Sequence, residues 1–296
     1  MDLLTAIVYG IIQGLAEFLP ISSSAHLALL PKCFKFDDPG VFFDLMMHLG
    51  TTLALVIYFW KKIFNVAKVG LEVFPIFKKN AEITSPDVYL FRNFLSSTFF
   101  TVVVILILKQ LSFNYGRNPH FMAINLIVFG ILLYLADYWA RRREDKVTQS
   151  SSSSSSSSSD NLVMNISFKF KESCLIGIAQ ALAIFPGVSR SGITITISRF
   201  LGLSRVEAAE YTFFLSIPII LLAAISKIAE TLTVLMIESN TEKLIDLIIP
   251  LATGLITSFV VGIATIHFFM KLIKRIEFLY FAIYRLLVAI AIFYFL

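Results

Sequence analysis

Apolar residues in this chain come in long blocks rather than at the spacing of a surface helix. Six blocks reach the length of about 20 residues that a bilayer core requires. They are roughly 43–60, 92–111, 120–139, 210–228, 245–270 and 277–295. Two more apolar regions, 2–31 and 173–202, are each broken near the middle by polar residues, Pro and Gly. Neither half of either region is comfortably long enough to cross. Each reads as a re-entrant hairpin, because broken backbone survives at membrane depth only where it packs inside protein or lines a cavity. The predicted fold is an all-α polytopic membrane protein with six transmembrane helices and two re-entrant helix hairpins. The ten-residue alternating segments of a membrane β-barrel are not visible.

The two broken regions resemble each other. "GIIQGLAEFLPISSSAH" (10–26) laid over "GIAQALAIFPGVSRSGI" (177–193) matches Gly10, Ile11, Gln13, Leu15, Ala16, Phe18, Ser22 and Ser24 with identical residues. This is an internal repeat. Each copy holds one hairpin and three spans, and three is odd, so the second copy is inverted relative to the first. Inverted repeats place a site near the midplane, where their broken helices meet. The chain then reads as one membrane domain. Residues 1–139 form the first repeat, 140–172 a linker and 173–296 the second repeat. Within the linker, the serine run at 149–159 cannot bury apolar surface and should be flexible.

Composition agrees with the pattern: 57% of residues are hydrophobic and the mean hydropathy is +0.81. The net charge of +5 does not point to nucleic acid. Most of the 25 Lys and Arg gather in loops 61–91, 140–172, 203–209 and 271–276, which the positive-inside rule puts in the cytoplasm. Both termini then face outward, and the first hairpin enters from outside. Asp2 stands where a signal peptide would have a basic start, so residues 3–12 read as part of the fold. Cys33 and Cys174 lack metal spacing and read as packing residues.

The chemistry sits at the two breaks. In "GLAEFLPISSSAH" (14–26), Pro20 should end one half-helix and Ser22 should cap the next. The N-terminus of that second half-helix is an anion site. Gln13 and Glu17 share one helix face, and Ser23 and His26 share another. In "PGVSRSGIT" (186–194), Ser189, Ser191 and Thr194 supply hydroxyls. Arg190 supplies a cationic fork suited to phosphate oxygens. Each residue also has a plain structural reading. His26 can be a satisfied buried group, and Arg190 can pair with Glu17 as an ion pair. Two equivalent breaks with complementary charges favour a site. Asp44, His48, Asp137 and Arg285 lie in or near spans without an assigned role, and Glu207 and Glu210 read as caps of the fourth span.

"QGLAEFLPISSSAH" and "PGVSRSGITI" resemble the two motifs of the undecaprenyl-diphosphatase family of the bacitracin-resistance type. "FFDLMMHLGTTLALV", "EAAEYTFFLSIP" and "FAIYR" are similar to it as well, so the resemblance covers all but the serine run. It implies an integral enzyme of the bacterial inner membrane, with its site open to the outer face. The reaction it implies is hydrolysis of undecaprenyl diphosphate to the monophosphate and phosphate, recycling the carrier of cell-wall synthesis. The family's catalytic positions fall on Glu17, Ser23, His26 and Arg190, and its substrate-binding hydroxyls on Ser22, Ser189, Ser191 and Thr194. A divalent cation, Mg2+ or Ca2+, is implied at Glu17 with Gln13, where the family often has a second Glu. Ser23 activated by His26 is the expected nucleophile; direct attack by water is the alternative. Expected partners are the polyprenyl diphosphate, membrane lipid and a second copy in a homodimer, with no nucleic acid. The rival reading is a secondary transporter or flippase for a prenyl phosphate.

Overall fold

The computed structural model describes residues 2–73, 86–115, 118–151, 169–238 and 241–295. Most of the serine run at 149–159 lies outside the described residues. The described chain is helical throughout. The helices are α1 Leu3–Ala16, α2 Ser23–Phe34, α3 Gly40–Tyr58, α4 Trp60–Val73, α5 Pro86–Tyr115 and α6 Pro119–Ser151. They continue with α7 Phe170–Ala181, a 3-10 turn at Leu182–Ile184, α8 Arg190–Phe200, α9 Arg205–Glu238, α10 Thr241–Leu272 and α11 Leu279–Phe295.

Five helices are long and apolar enough to cross a membrane, over Gly40–Tyr58, Val88–Phe113, Pro119–Lys146, Arg205–Thr231 and Ile248–Leu272. The sixth predicted span, 277–295, is shorter than expected. Its helix has 17 residues, about 25 Å at the α-helical rise, against about 30 Å of bilayer core. The block's first residues serve as polar anchors instead. Glu277 pairs with Arg141, and the Phe278 amide donates to Asp137 at 3.3 Å. A second difference is at the linker. α6 does not stop at 139 but runs through its charged end to Ser151, where Arg142 lies over the Tyr138 ring.

Large apolar side chains such as Phe99, Leu106, Ile107, Ile225 and Val260 stay exposed on the outside of the bundle. That is the surface lipid would cover. Cys33 is on this exposed surface, so it is not the packing residue the sequence suggested, while Cys174 is half-buried.

The two broken regions are the helix pairs α1–α2 and α7–α8. Each packs mainly on the far half of the chain: α1 lies along α10, α7 along α5, and α6 along α11. Close approach requires glycine at equivalent positions. A Cβ on Gly10 would fall 2.7 Å from Gly254 O, and one on Gly177 would fall 2.2 Å from Ser97 O. Hydroxyls then stitch α5 to α7, with Ser97 Oγ donating to Ser173 O at 2.6 Å and Thr101 Oγ1 to Gly177 O at 2.8 Å.

The end of α8 remote from its hairpin break is locked by ions. Asp137 on α6 accepts from Arg199 Nε at 3.2 Å and from Arg205 Nε and Nη2 at 2.8 and 2.7 Å. Arg199 also reaches Glu144 at 2.7 Å and Leu203 O at 2.6 Å. Three arginines meet three carboxylates here, which is how buried charge becomes tolerable. Glu207 does cap α9, accepting from the Ser204 amide at 2.9 Å. Glu210 instead pairs with Lys62.

Candidate active site

α1 ends at Ala16, four residues before Pro20, and α2 starts at Ser23. The turn between them closes on Ser22, whose φ of 73° is left-handed. Ser189, at the equivalent position, has φ 69° and precedes α8. A non-glycine residue held there carries on the order of 1–3 kcal/mol of strain, which tends to gather at functional sites. The two caps differ. Ser189 Oγ accepts from the Gly192 amide at 3.1 Å, as an N-cap does. Ser22 makes no such bond, contrary to the sequence expectation; its hydroxyl meets Ser24 at 3.2 Å.

Each turn sets the first residue of its second helix against Glu17. Ser23 Oγ donates to Glu17 Oε2 at 2.8 Å. Arg190, which occupies the equivalent position in the second pair, hydrogen-bonds Glu17 Oε1. Two helix N-termini with their positive dipole ends therefore converge on one carboxylate. Gln13 Nε2 donates to Glu17 Oε2 at 2.8 Å, and His48 Nε2 on α3 lies 3.3 Å from the same oxygen. Glu17 is nearly buried, while the Arg190 side chain keeps 16% of its surface exposed.

His26 is not where the expected pair required it. Its Nδ1 lies 2.8 Å from Ser22 O and its Nε2 lies 2.8 Å from the Tyr284 hydroxyl. The reason is local: on α2 the ring folds back onto the carbonyl one turn earlier, while Ser23 points across to α1. Ser23 thus has Glu17, and not His26, as its hydrogen-bond acceptor.

Three of the hydroxyls expected to bind substrate are engaged within the protein. Ser191 Oγ donates to Leu19 O at 3.1 Å, joining the two turns, and Thr194 Oγ1 donates to Arg190 O at 2.9 Å. Ser189 is the cap already described, and Ser22 is 1% exposed.

Glu17 and Gln13, the pair expected to hold a divalent ion, are hydrogen-bonded to each other. Gln13 turns its N–H, not its oxygen, toward Glu17, and both carboxylate oxygens already accept from protein donors. Gln13 Oε1 is buried with no partner among the described residues, pointing away from the carboxylate.

Sequence reading left three participants without a role. Arg285 on α11 is fully buried and donates to carbonyls from three elements. Nη2 reaches Gly187 O at 2.7 Å and Val188 O at 3.0 Å, and Nε reaches Leu126 O at 3.1 Å. A longer contact of 3.4 Å runs from Nη1 to Pro20 O, so this one side chain touches both turns. No carboxylate pairs with it among the described residues. With Glu17 paired to Arg190, the Arg285 guanidinium adds positive charge where the two turns meet. His48 and Tyr284 are the other two. The available signal was the rarity of ionisable residues within apolar segments, which marks a position without saying what it faces.

The chain is similar to known proteins over nearly its whole length. The family described as "Bacitracin resistance protein BacA" matches residues 6–291. An "Undecaprenyl-diphosphatase" of Marinobacter nauticus is 36% identical over 289 residues, covering 98% of this chain and 97% of that protein. One of Moorella thermoacetica is 35% identical over 289 residues, covering 98% and 96%. "Undecaprenyl-diphosphatase 2" of Stutzerimonas stutzeri is 37% identical over 287 residues, covering 97% and 96%. The match spans both helix pairs, both turns and the helices that hold them, so the chain belongs to the bacitracin resistance protein BacA family.

Proposed function

We propose that this chain hydrolyses undecaprenyl diphosphate to undecaprenyl phosphate and inorganic phosphate, and so recycles the lipid carrier of cell-wall synthesis. The observation that carries the reading is the convergence of Ser23 and Arg190 on Glu17, inside an apolar helical bundle of this family. Phosphoryl transfer asks mainly for positioning and charge stabilisation. Arg190, the N-termini of α2 and α8 and the uncompensated charge of Arg285 supply the positive field.

Ser23 is the nucleophile in this proposal. Its Oγ bonds to the terminal phosphorus, the bridging P–O bond breaks, and undecaprenyl phosphate leaves with the electron pair. The Ser23 proton passes to Glu17. At rest Arg190 neutralises Glu17 and weakens it as a base. An incoming diphosphate competes for the Arg190 fork, so Glu17 becomes more basic when Ser23 must lose its proton. Water then attacks the phosphoserine, breaking P–Oγ, with His26 taking the proton and Glu17 returning one to Ser23. No metal step is included, because Glu17 and Gln13 are bonded to each other rather than arranged around an ion.

In the same proposal the two helix pairs are re-entrant hairpins of an inverted repeat, entering from opposite faces. The protein lies in the bacterial inner membrane, with both termini and the site opening on the outer face. The crossed packing of α1 on α10 and α7 on α5 supports the repeat. The short helices support the hairpins: α1 has 14 residues and α7 has 12.

The test is phosphate release from undecaprenyl diphosphate by the purified protein in detergent. Steady release supports an enzyme. A pure flippase needs a sealed bilayer and releases nothing here, so silence from folded protein overturns the reading.

A further inference from the structure

His26 and Tyr284 come from opposite ends of the chain and meet in parallel. Their ring planes are 4° apart with centroids 5.6 Å apart, and with the hydroxyl 2.8 Å from the imidazole the two rings lie side by side. Both nitrogens of His26 are committed. Nδ1 is 2.8 Å from Ser22 O, and a carbonyl can only accept, so Nδ1 carries a proton. In the neutral ring Nε2 is then the lone-pair nitrogen. The hydroxyl 2.8 Å away is the group that donates to it.

We propose that Tyr284 holds Nε2 of His26, the nitrogen that Ser22 O leaves basic, in one place and carries the proton to it. The inference rests on the phosphatase reading above. A hydroxyl is suited to the task because it can reverse its role. It passes its own proton to Nε2 while its oxygen takes the proton of the attacking water, and it then accepts from Nε2–H of the charged ring. Ser22 O holds the opposite edge from the strained turn. The imidazole therefore does not have to turn between the two states. Preorganisation of this kind is what a general base needs.

The surroundings leave Tyr284 as the partner able to do this. α6 and α11 present Met122, Ala123, Leu126, Ala289 and Ile292 to the neighbouring Ala25 of α2. The charge acting on His26 from α11 is Arg285, and its hydrogen bonds go to the turns and to α6.

Tyr284→Phe removes the hydroxyl and keeps the aromatic ring. Two measurements test the proposal. In the resting protein, ring nitrogen-15 signals of His26, assigned with His26→Gln, should show a protonated Nδ1 and an unprotonated Nε2 in wild type. The Phe variant should keep this tautomer, which Ser22 O fixes, and move the Nε2 signal downfield as that nitrogen loses its donor. This readout needs no turnover, so it fails or succeeds independently of the phosphatase reading. In the phosphate-release assay, Tyr284→Phe should lower kcat about tenfold with KM changed less than twofold, which is below the full value of a general base. In a His26→Ala background the same substitution should cost nothing more. An unmoved Nε2 signal in Tyr284→Phe overturns the proposal. So does a kcat loss that persists undiminished without His26.

Discussion

Glu17 meets Gln13, Ser23, His48 and Arg190, and three of these contacts imply a measurable loss. Arg190→Lys keeps the charge but not the fork, and one ammonium cannot hold Glu17 at rest and then two phosphate oxygens. Phosphate release should fall about a hundredfold, as when a transition-state donor is removed; near-normal turnover would remove Arg190 from the reaction. Ser23 and Glu17 share a 2.8 Å hydrogen bond, so they should act as one unit. Ser23→Ala and Glu17→Gln should each be severely impaired, and the double variant hardly worse than either. Losses that multiply would separate the pair and return Ser23 to the His26 partnership that the sequence suggested. Gln13→Glu replaces a donor to Glu17 with a second carboxylate. Like charges this close are unfavourable unless a cation joins them. Without added metal the variant should lose about tenfold, equivalent to about 1.4 kcal/mol. Mg2+ should restore it more steeply than it affects wild type. The check is a metal titration of phosphate release for both proteins. Identical curves would mean that Gln13 does not face Glu17 in the working enzyme.

At the scale of elements, the short helices depend on neighbours they touch closely. α7 has 12 residues, too few to be stable alone in water. It is held by α5 at a distance set by Gly177, where an added Cβ would fall 2.2 Å from Ser97 O. Gly177→Ala should therefore lower the thermal midpoint in detergent, with a cost of about 1–3 kcal/mol from overpacking. Gly10→Ala should do the same on α10. An unshifted midpoint in both variants would mean that these helix pairs are looser than their geometry implies. Arg285 performs the complementary task at the turns, tying Gly187, Val188 and Leu126 together through their carbonyls. Sequence could place this arginine in a span but gave no sign that its partners would be backbone.

Across the whole molecule, α8 joins two regions with different requirements. Its first residue, Arg190, belongs to the site, while Arg199 near its other end is 1% exposed and tied to Asp137. Asp137→Asn leaves Arg199 and Arg205 short of a carboxylate. Removing one partner of a buried ion cluster typically costs about 3–5 kcal/mol. Unfolding in detergent should show that loss, while turnover per folded molecule stays within a few-fold of wild type. A stable variant with lost turnover would instead make the cluster part of the catalytic path.

The sequence by itself determined the helical membrane class, the two breaks and the residue types gathered at them. These are local properties: block length follows from bilayer thickness, and Pro, Gly and a run of serines break a helix wherever they occur. The matching motifs at 10–26 and 177–193 also brought the family within reach. Tertiary structure decided the partnerships. Ser23 lies three residues from His26 in sequence, yet it bonds to Glu17, because the turn between Glu17 and Ser22 folds α2 back onto α1. His26 meets Tyr284 from 258 residues away, and Arg190 crosses from the second helix pair to complete the first. Spacing along one helix tells which residues share a face. Which face meets which depends on packing between distant helices, and that packing is set by shape and close approach that no local pattern records.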